Sequence, residues 1–487
     1  MERYGLVVEQ ELPPKTTHLI DGYVNTGVAN LQSYEAFDVD GSEPEQKTAS
    51  AFRDEQKEAF MAAEVRNPTL NNCPKFIGEI VIRRGQYNLL SSLMYNQSLR
   101  KAEGGIYSSA EDEMLDELLA LRMDELGFIE TASLVANGDL SADERLQVAG
   151  VLKSSAREIY GLPAKEEAGY VLMQRLRKAQ ELATRNDAWG EMANYVLQNL
   201  SVEKLTERQP SEVKQTFLQH YDNYLREECG GALEYAFSDI GDKEEYSPQE
   251  IKTIFDRYIE ARGYDKEGWQ TEIVENRTMC ATVPDKYIVK IGDKRPAKDR
   301  TRKRVAESML HEVEIHAGRV ARGKKLGHGL AGYGLPGYLE FEEPFATAIE
   351  EIYSQQRSVK GEQYVAAIAI SAGFDGTERD FRDSFELAWR LTAIKGYKDG
   401  KNAEEATNTA RKSAYTTLIR IWRGMPTDIP GCIYPKDRVY YNEDVWRYLT
   451  HNGNPLPRAD FLRLLQAKYD PRESSQNAYI KTLTDNK

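Results

Sequence analysis

Two histidines and several carboxylates lie within about thirty residues of each other in the second half of the chain. The sequence His311-Glu312-Val313-Glu314-Ile315-His316 comes first, and Gly334-Leu335-Pro336-Gly337-Tyr338-Leu339-Glu340-Phe341-Glu342-Glu343 follows it. They include two of only six histidines. Two imidazole nitrogens and one carboxylate oxygen can hold Zn²⁺ and leave a fourth position for water. The carboxylate of Glu312, beside the first histidine, could then take a proton from that water.

The spacing of the two histidines predicts an irregular helix. Ligands at positions i and i+4 of a regular α-helix lie about 40° apart on one face. His311 and His316 stand at i and i+5, about 140° apart on a regular helix. Both can reach one metal only where the helix carries an extra residue, as a π-bulge does, and π-bulges occur often at functional sites. We therefore predict an i→i+5 irregularity here. A surface helix with two unrelated histidines is the alternative.

The composition is that of an ordinary globular protein. The 487 residues, 40% of them hydrophobic and 29% charged, suffice for one large domain or two to three smaller ones. The net charge of −14 argues against non-specific binding of nucleic acid. Four widely spaced cysteines form no C-x-x-C pair and predict free thiols in a reducing compartment: Cys73, Cys229, Cys280 and Cys432.

Targeting and membrane signals are missing from the sequence pattern. Residues 1–15 lack the apolar core of a signal peptide. The longest apolar run, residues 364–372, is too short to cross a bilayer. We expect a soluble cytoplasmic protein with neither a membrane nor a nucleic acid as partner. The sequence does not predict an oligomeric state.

Changes in composition divide the chain into four parts. Residues 1–70 are polar and acidic, and their composition allows partial disorder. We expect a helical subdomain over residues 71–270 and the metal-binding catalytic part over residues 271–455. Residues 456–487 predict a C-terminal helix and a frayed tail.

Local signals predict several helix starts and two strands. Ser141 and Ser247 each precede a glutamate by three residues, which is the pattern of a capping box. Runs rich in β-formers at 278–282 and 286–291 predict strands. Thr301 or Asp299 could cap the helix that carries His311.

At the metal motifs the chain resembles a family of zinc carboxypeptidases. This family includes the microtubule-associated tyrosine carboxypeptidases and bacterial relatives named for a Q-E-G-L-A motif. The metal helix and the approach to the third ligand carry the most specific part of the resemblance. Further stretches are Glu158-Ile159-Tyr160-Gly161-Leu162-Pro163, Arg420-Ile421-Trp422-Arg423-Gly424 and Pro435-Lys436-Asp437-Arg438-Val439-Tyr440-Tyr441. The resemblance covers roughly residues 70–450.

The resemblance implies a fold and a ligand set. The implied fold is mainly α with a small β-sheet, a zincin-like metallopeptidase with a large helical N-terminal part. By motif match, His311, His316 and Glu343 would hold one Zn²⁺, with Glu312 as the general base. Glu342 and Glu340 are alternatives to Glu343, and the unused acids would orient a histidine ring.

The sequence departs from the family after the expected third ligand. The family continues Glu-Gly-Leu-Ala, whereas this chain has Glu343-Pro344-Phe345-Ala346. Proline and phenylalanine could reshape the pocket, so a preference for tyrosine does not follow. Pro344 also predicts that a new helix starts at Glu343, because proline fits the first helical turn.

A carboxypeptidase needs groups for the oxyanion and for the substrate's terminal carboxylate. Tyr440 or Tyr441 could donate to the oxyanion. Arg423, Lys436 and Arg438 are candidates for the carboxylate because they lie in the matching C-terminal segment.

Two further stretches could contact an extended substrate. The strand at 286–291, with Lys290 on it, could pair its edge with a peptide. The basic segment 294–304 could attract an acidic protein tail, or could simply be a solvated loop.

These observations predict a zinc-dependent carboxypeptidase that acts on the C-terminal tail of a peptide or protein, with an aromatic terminal residue one option. An exopeptidase acting at the N-terminus, like a dipeptidyl peptidase, is one alternative. A non-catalytic, metal-stabilised binding protein is another, against which Glu312 speaks because a structural site needs no base. Nucleic-acid binding through residues 294–325 is a weaker one.

Overall fold

The computed structural model describes residues 19–20, 23, 44–70, 88–99, 102, 110–326, 329–398 and 402–485. Over these residues the chain is mainly helical with one three-stranded sheet, which confirms the predicted mixture of many helices and a small sheet. None of the described helices is long and apolar enough to cross a membrane.

Before the sheet, residues 88–99 are helical, and the numbered helices are α1 (Pro44–Met61), α2 (Ala110–Asn137), α3 (Ala142–Tyr160), α4 (Lys165–Leu182), α5 (Ala188–Asn199), α6 (Gln215–Phe237) and α7 (Pro248–Ala261). The strands are β1 (Gln270–Val274), β2 (Cys280–Val283) and β3 (Ile288–Gly292).

Ten described helices follow the sheet: α8 (Arg302–Met309), α9 (Gly318–Gly323), α10 (Leu330–Tyr333), α11 (Leu339–Ser354), α12 (Glu362–Ala372), α13 (Phe381–Lys395), α14 (Ala403–Ile421), α15 (Glu443–Leu449), α16 (Arg458–Leu464) and α17 (Ser474–Asp485). Between α8 and α9 lies a π-helical segment, Leu310–Ala317, and Pro435–Tyr440 forms a 3₁₀ segment.

Both predicted capping boxes are confirmed. Ser141 caps α3 and Ser247 caps α7. In each case the carboxylate of the glutamate at the third helical position accepts a hydrogen bond from the main-chain N–H of the capping serine. Thr301 caps α8, since its hydroxyl accepts from the N–H of Arg304 at 3.4 Å. This cap fixes where the metal helix begins.

The sheet has the order β1-β3-β2. β1 runs parallel to β3, and β2 runs antiparallel to it, with Cys280 opposite Ile291. The expectation that the strand at 286–291 offers a free edge is wrong, because β3 is the central strand. Lys290 on β3 faces Glu272 of β1, with 3.9 Å between Nζ and Oε1. The strand whose free side adjoins the metal helix is β2.

The predicted irregularity at the histidines is confirmed. Leu310–Ala317 is a π-helix that continues α8 and leads into α9 without a break. An i→i+5 hydrogen-bond pattern brings residues five apart onto one face. Val313, Ile315 and Ala317 of this segment are buried in the main hydrophobic core.

Helix α11 begins earlier than its proline predicted. It starts at Leu339, not at Glu343, so Pro344 lies inside the helix. Pro344 removes one main-chain donor. Burial of Phe341 and Phe345 on the same helix favours the longer helix, since both side chains are fully covered by the core.

The chain ends contain more helix than their composition suggested. α1 lies in the acidic segment 1–70, and the first 43 residues lie outside the described part apart from 19–20 and 23. The tail expected to fray contains α17, in which Tyr479 and Ile480 are buried. Buried apolar side chains therefore hold these residues on the body of the protein.

Candidate metal centre

Three side chains converge between the π-helical segment and α11. His311, His316 and Glu343 each offer one ligand atom, and these atoms lie within 4.8 Å of one another. Nε2 of His316 is 3.9 Å from Oε2 of Glu343. It is the one such group of histidine, cysteine or acidic side chains that the described residues contain. These three side chains, called the metal group below, could hold a metal ion.

His316 is oriented by a buried carboxylate. Its Nδ1 lies 3.0 Å from Oε1 of Glu342, which leaves Nε2 for the metal side. Burial opposes the charge of Glu342, but Lys468 and Arg319 outweigh it and lower the pKa of this carboxyl to about 2. Arg319 donates to Glu342 at 2.9 Å, and Lys468 Nζ lies 3.2 Å from it. Glu342 is thus an orienting group, as expected of an unused acid.

A second carboxylate contacts the other histidine. Oε1 of Glu350 lies 2.6 Å from Nδ1 of His311, close but not aligned as a regular hydrogen bond. Burial disfavours charge on His311, but Glu350 outweighs it and raises the pKa of the imidazole to about 9. Lys360 Nζ in turn lies 2.5 Å from Oε2 of Glu350. With Nδ1–H towards Glu350, a metal would bind His311 through the other ring nitrogen.

The carboxylate of Glu312 is held from the sheet. The hydroxyl of Thr282 on β2 lies 2.8 Å from both the carboxylate Oε2 and the main-chain oxygen of Glu312. Glu312 is partly exposed, next to the ligands and free of any cationic partner among the described ion pairs.

The opposite face of the π-helical segment is fixed by Glu314. This fully buried carboxylate accepts from Tyr258 at 2.9 Å, from Arg262 at 2.9 Å and from Arg322 at 2.6 Å. Burial opposes ionisation, but Arg322 and Arg262 outweigh it and lower the pKa of Glu314. The network ties the segment to α7 and α9, so it restrains the unusual helix geometry.

The donor set fits a zinc ion better than a hard cation. Two imidazole nitrogens and one carboxylate oxygen are the ligands of many catalytic zinc sites, which keep a fourth position open. Ligands about 2.1 Å from a tetrahedral metal are about 3.4 Å apart, so the observed spacing needs only small side-chain shifts. Calcium and magnesium sites, by contrast, are built from oxygen ligands.

The two alternatives to Glu343 have other partners. Glu342 contacts Nδ1 of His316, as described above. Glu340 forms an ion pair with Arg438 at 2.5 Å. Only Glu343 among the three acids belongs to the ligand group.

The two tyrosines considered for the oxyanion lie in different surroundings. The 3₁₀ segment that carries Tyr440 packs against α11, which carries Glu343. The charge of Glu343, and then burial, raise the pKa of Tyr440. The guanidinium of Arg420 stacks 5.1 Å from the Tyr440 ring. Tyr441 is instead buried in the core formed by α4, α5, α12 and α13. Only Tyr440 is therefore near the metal group.

The three candidates for a substrate carboxylate have different surroundings. Arg438 donates to the main-chain oxygen of Tyr160 at 2.6 Å and pairs with Glu340, so it has a structural role. Arg423 lines a different cavity, together with Arg53 of α1. Lys436 lines another cavity together with Leu121, Arg122, Glu125, Tyr338 and Leu339, and we call it the Lys436 cavity.

Lys436 is linked to the metal group by charge. Burial lowers the pKa of Lys436 to about 8, against the opposing effects of Asp437 and Glu343. Leu339, four residues before Glu343 on α11, lines the same cavity, which has about 640 Å³ of empty space. Residues four apart share a helix face. The Lys436 cavity therefore adjoins the metal group on the Glu343 side.

A second cavity adjoins the group on the other side. The His311 cavity is defined here by Met279, Cys280, Asp299, His311, Glu312 and Glu350. Met279 at its rim is 73% exposed. The metal group thus lies between two cavities, with Glu312 opening to the His311 cavity.

Much of the basic segment 294–304 is neutralised within the protein. Arg300 pairs with Glu245 at 2.8 Å, Arg302 with Asp242 at 2.5 Å, and Arg304 with Glu307 at 2.7 Å. These pairs fasten the segment to its neighbours. They offset part of the segment's positive charge, and attraction of an acidic tail stays a prediction.

Sequence reasoning missed Glu350, Thr282 and Lys360. Glu350 had a readable signal, because residues seven apart, such as Glu343 and Glu350, share a helix face. Thr282 and Lys360 reach the site only through tertiary packing. Phe345 of the Pro344-Phe345 departure lies in the core, where it stacks on Phe341 at a 5.3 Å ring distance.

Comparisons of the chain with family models, with curated proteins and with solved structures found no match.

Proposed function

We propose that this protein is a zinc-dependent metallopeptidase that hydrolyses the C-terminal peptide bond of a peptide or protein tail. The observation that carries the proposal is the group of His311, His316 and Glu343, with the carboxylate of Glu312 beside it. The resemblance of the same motifs to zinc carboxypeptidases supports it.

His311, His316 and Glu343 would hold the metal, and Glu342 and Glu350 would orient the two imidazoles. A zinc ion bound there would lower the pKa of a water molecule to about 7 and polarise the scissile carbonyl. Oriented, buried histidines favour this, because outer partners that fix the ring raise metal affinity about 10- to 100-fold.

Glu312 would move the proton. Its carboxylate accepts a proton from the water that attacks the carbonyl carbon, and it then passes that proton to the amine as the C–N bond breaks. Thr282 holds the carboxylate in position for both transfers. The phenol of Tyr440 would donate to the oxyanion that forms on the carbonyl oxygen.

The free side of β2 offers main-chain groups for an extended substrate. Met279 O accepts from Gly292 N at 3.1 Å, which makes this a hydrogen-bonded pair. Such pairs alternate along an antiparallel ladder, so the main-chain groups of Cys280 and Thr282 point away from β3. A peptide paired there would run past Glu312.

Lys436 is our candidate for the terminal carboxylate. Lys436 lies within electrostatic reach of Glu343. The apolar lining of the Lys436 cavity by Leu121, Tyr338 and Leu339 suits an apolar or aromatic terminal side chain.

Cleavage from the N-terminus is the second candidate. It is favoured by carboxylates at the His311 cavity, which could hold a substrate ammonium. Glu307 and Glu350 there are already paired with Arg304 and Lys360, so of the acids that line the cavity only Asp299 and the proposed base Glu312 are not in these pairs. Such pairing weakens this alternative.

A peptide panel tests the proposal. Bound zinc is quantified first, and wild type is compared with Glu312→Gln on peptides with free or amidated C-termini and free or acetylated N-termini. We expect single C-terminal residues to be released by wild type only, and only from free C-termini. Cleavage that requires a free N-terminus would establish the alternative. Stoichiometric zinc with no cleavage of any peptide would contradict a peptidase.

A further inference from the structure

The connection between α11 and α12, residues 355–361, touches both sides of the metal group. Its Lys360 side chain reaches Glu350, which contacts His311. Its last residue, Gly361, packs against the main chain of Tyr440. One short segment therefore contacts both Glu350, the partner of His311, and the main chain of Tyr440, the candidate oxyanion donor.

The segment is fixed in place by a buried polar network. The main-chain N–H of Ser358 donates to Glu351 at 2.9 Å, and that of Lys360 donates to Asn442 Oδ1 at 3.3 Å. Asn442 donates to Glu351 at 3.0 Å and is fully buried. Arg357 completes the network through Glu351 and Glu443. Glu351, Asn442 and Glu443 are buried, so these bonds restrain the segment from the protein side.

Gly361 allows the close approach to Tyr440. Its φ of +81° lies in the left-handed region that favours glycine. A Cβ built on Gly361 would lie 2.4 Å from the carbonyl oxygen of Tyr440 and 2.5 Å from the nitrogen of Tyr441. No side chain fits this space, so any larger residue must push the Tyr440 main chain away.

We propose that residues 355–361 form a positioning strap, in which Lys360 orients His311 through Glu350 while Gly361 sets the main chain that carries Tyr440. The Tyr440 half rests on the proposed peptidase function. The Lys360 half concerns metal binding and stands without it.

The Lys360 half is tested by zinc titration against a chelator. Lys360→Met should raise the zinc dissociation constant about tenfold, at the lower end of the effect of outer partners. Lys360→Arg should restore affinity to within about threefold. Lys395→Met is the matched control, since Lys395 pairs with Glu362 just beyond the strap. Unchanged zinc affinity in Lys360→Met, or an equal loss in the control, would overturn this half.

The Tyr440 half, which depends on Gly361, is tested by kinetics on the peptide that wild type cleaves best. Gly361→Ala should lower kcat about tenfold with KM and zinc affinity unchanged, and it should have no further effect in a Tyr440→Phe background. Gly373→Ala is the control, because Gly373 also has a positive φ and a Cβ contact of 2.7 Å, with Glu378, at the other end of α12. An equal loss in the Tyr440→Phe background would overturn this half.

These outcomes separate the two proposals. If no peptide is cleaved while Lys360→Met weakens zinc binding, the peptidase proposal and the Tyr440 half fail together and the Lys360 half holds. If Gly361→Ala does not fold, the Lys360 variants still decide whether the strap acts on the metal group.

Discussion

Glu343 and Glu350 lie seven residues apart on α11, and both serve the metal group. Glu343 belongs to the ligand group, while Glu350 contacts Nδ1 of His311. One helix face therefore supplies a ligand and also the group that orients another ligand. Displacement of α11 would disturb both at once.

The choice among the three acids gives the first prediction. Glu343→Ala should weaken zinc binding at least about 100-fold, because a direct ligand contributes more than its outer partners. Glu340→Ala should leave zinc binding unchanged, since Glu340 pairs with Arg438. Chelator competition measures both. Equal zinc affinity of Glu343→Ala and wild type would exclude Glu343 as a ligand.

The two neighbouring tyrosines should behave differently. Tyr440→Phe should lower kcat about 100-fold with bound zinc unchanged, as loss of an oxyanion donor does. Tyr441→Phe should keep kcat, because Tyr441 lies in the core. Steady-state kinetics on the best peptide measure this. A similar loss in both variants would argue for a packing role.

Thr282 gives a prediction about Glu312. Thr282→Val keeps the shape of the side chain but removes the hydroxyl that contacts the carboxylate. A hydrogen bond to a charged group contributes about 1.5 kcal/mol or more, so kcat should fall about tenfold at constant zinc occupancy. Thr253→Val on α7 is the control, since Thr253 bonds only within its helix among the described contacts. A normal kcat in Thr282→Val would show that Glu312 is held by other means.

Glu314 should matter for stability. Glu314→Gln leaves Arg262 and Arg322 buried without their charged partner, and loss of one member of a buried ion pair costs about 3–5 kcal/mol. Urea unfolding of zinc-free protein measures this. Exposed Glu260→Gln serves as the control. A loss below about 1 kcal/mol would mean that the network adds little to the fold.

Cys432 predicts a dependence of stability on alkaline pH. Burial raises the pKa of this thiol to about 12, whereas the thiol of the unfolded chain ionises near 9. Ionisation therefore favours the unfolded chain as pH rises from about 9 towards 12, by about 1.4 kcal/mol per unit. We expect the free energy of unfolding of wild type to exceed that of Cys432→Ala at pH 7, and this difference should be about 1.4 kcal/mol smaller at pH 10. Urea unfolding that shows a constant gap would contradict this.

Local signals predicted much of the fold and the central part of the site. Ser141 and Ser247 predicted two helix starts, and the spacing of His311 and His316 predicted the π-helical segment. Helix capping and helix periodicity depend on residues close in sequence, so they can be predicted without the fold. Thr282 and Lys360 could not be found this way, because tertiary packing alone brings them to the site. Pro344 led to a wrong prediction of where α11 starts. The helix begins earlier because burial of its side chains in the core outweighs the preference of proline for a first turn.

The π-helical segment also keeps the helices on either side of it in phase. Its wider turns take up one extra residue within a continuous helix, so α9 keeps the orientation that a regular helix would give it. Arg319 on α9 can therefore donate to Glu342 and to the carbonyl oxygens of Ala467 and Tyr469, which lie between the last two helices. Insertion of one residue thus changes the spacing of the two histidines while the contacts of α9 with the C-terminal part of the chain are preserved.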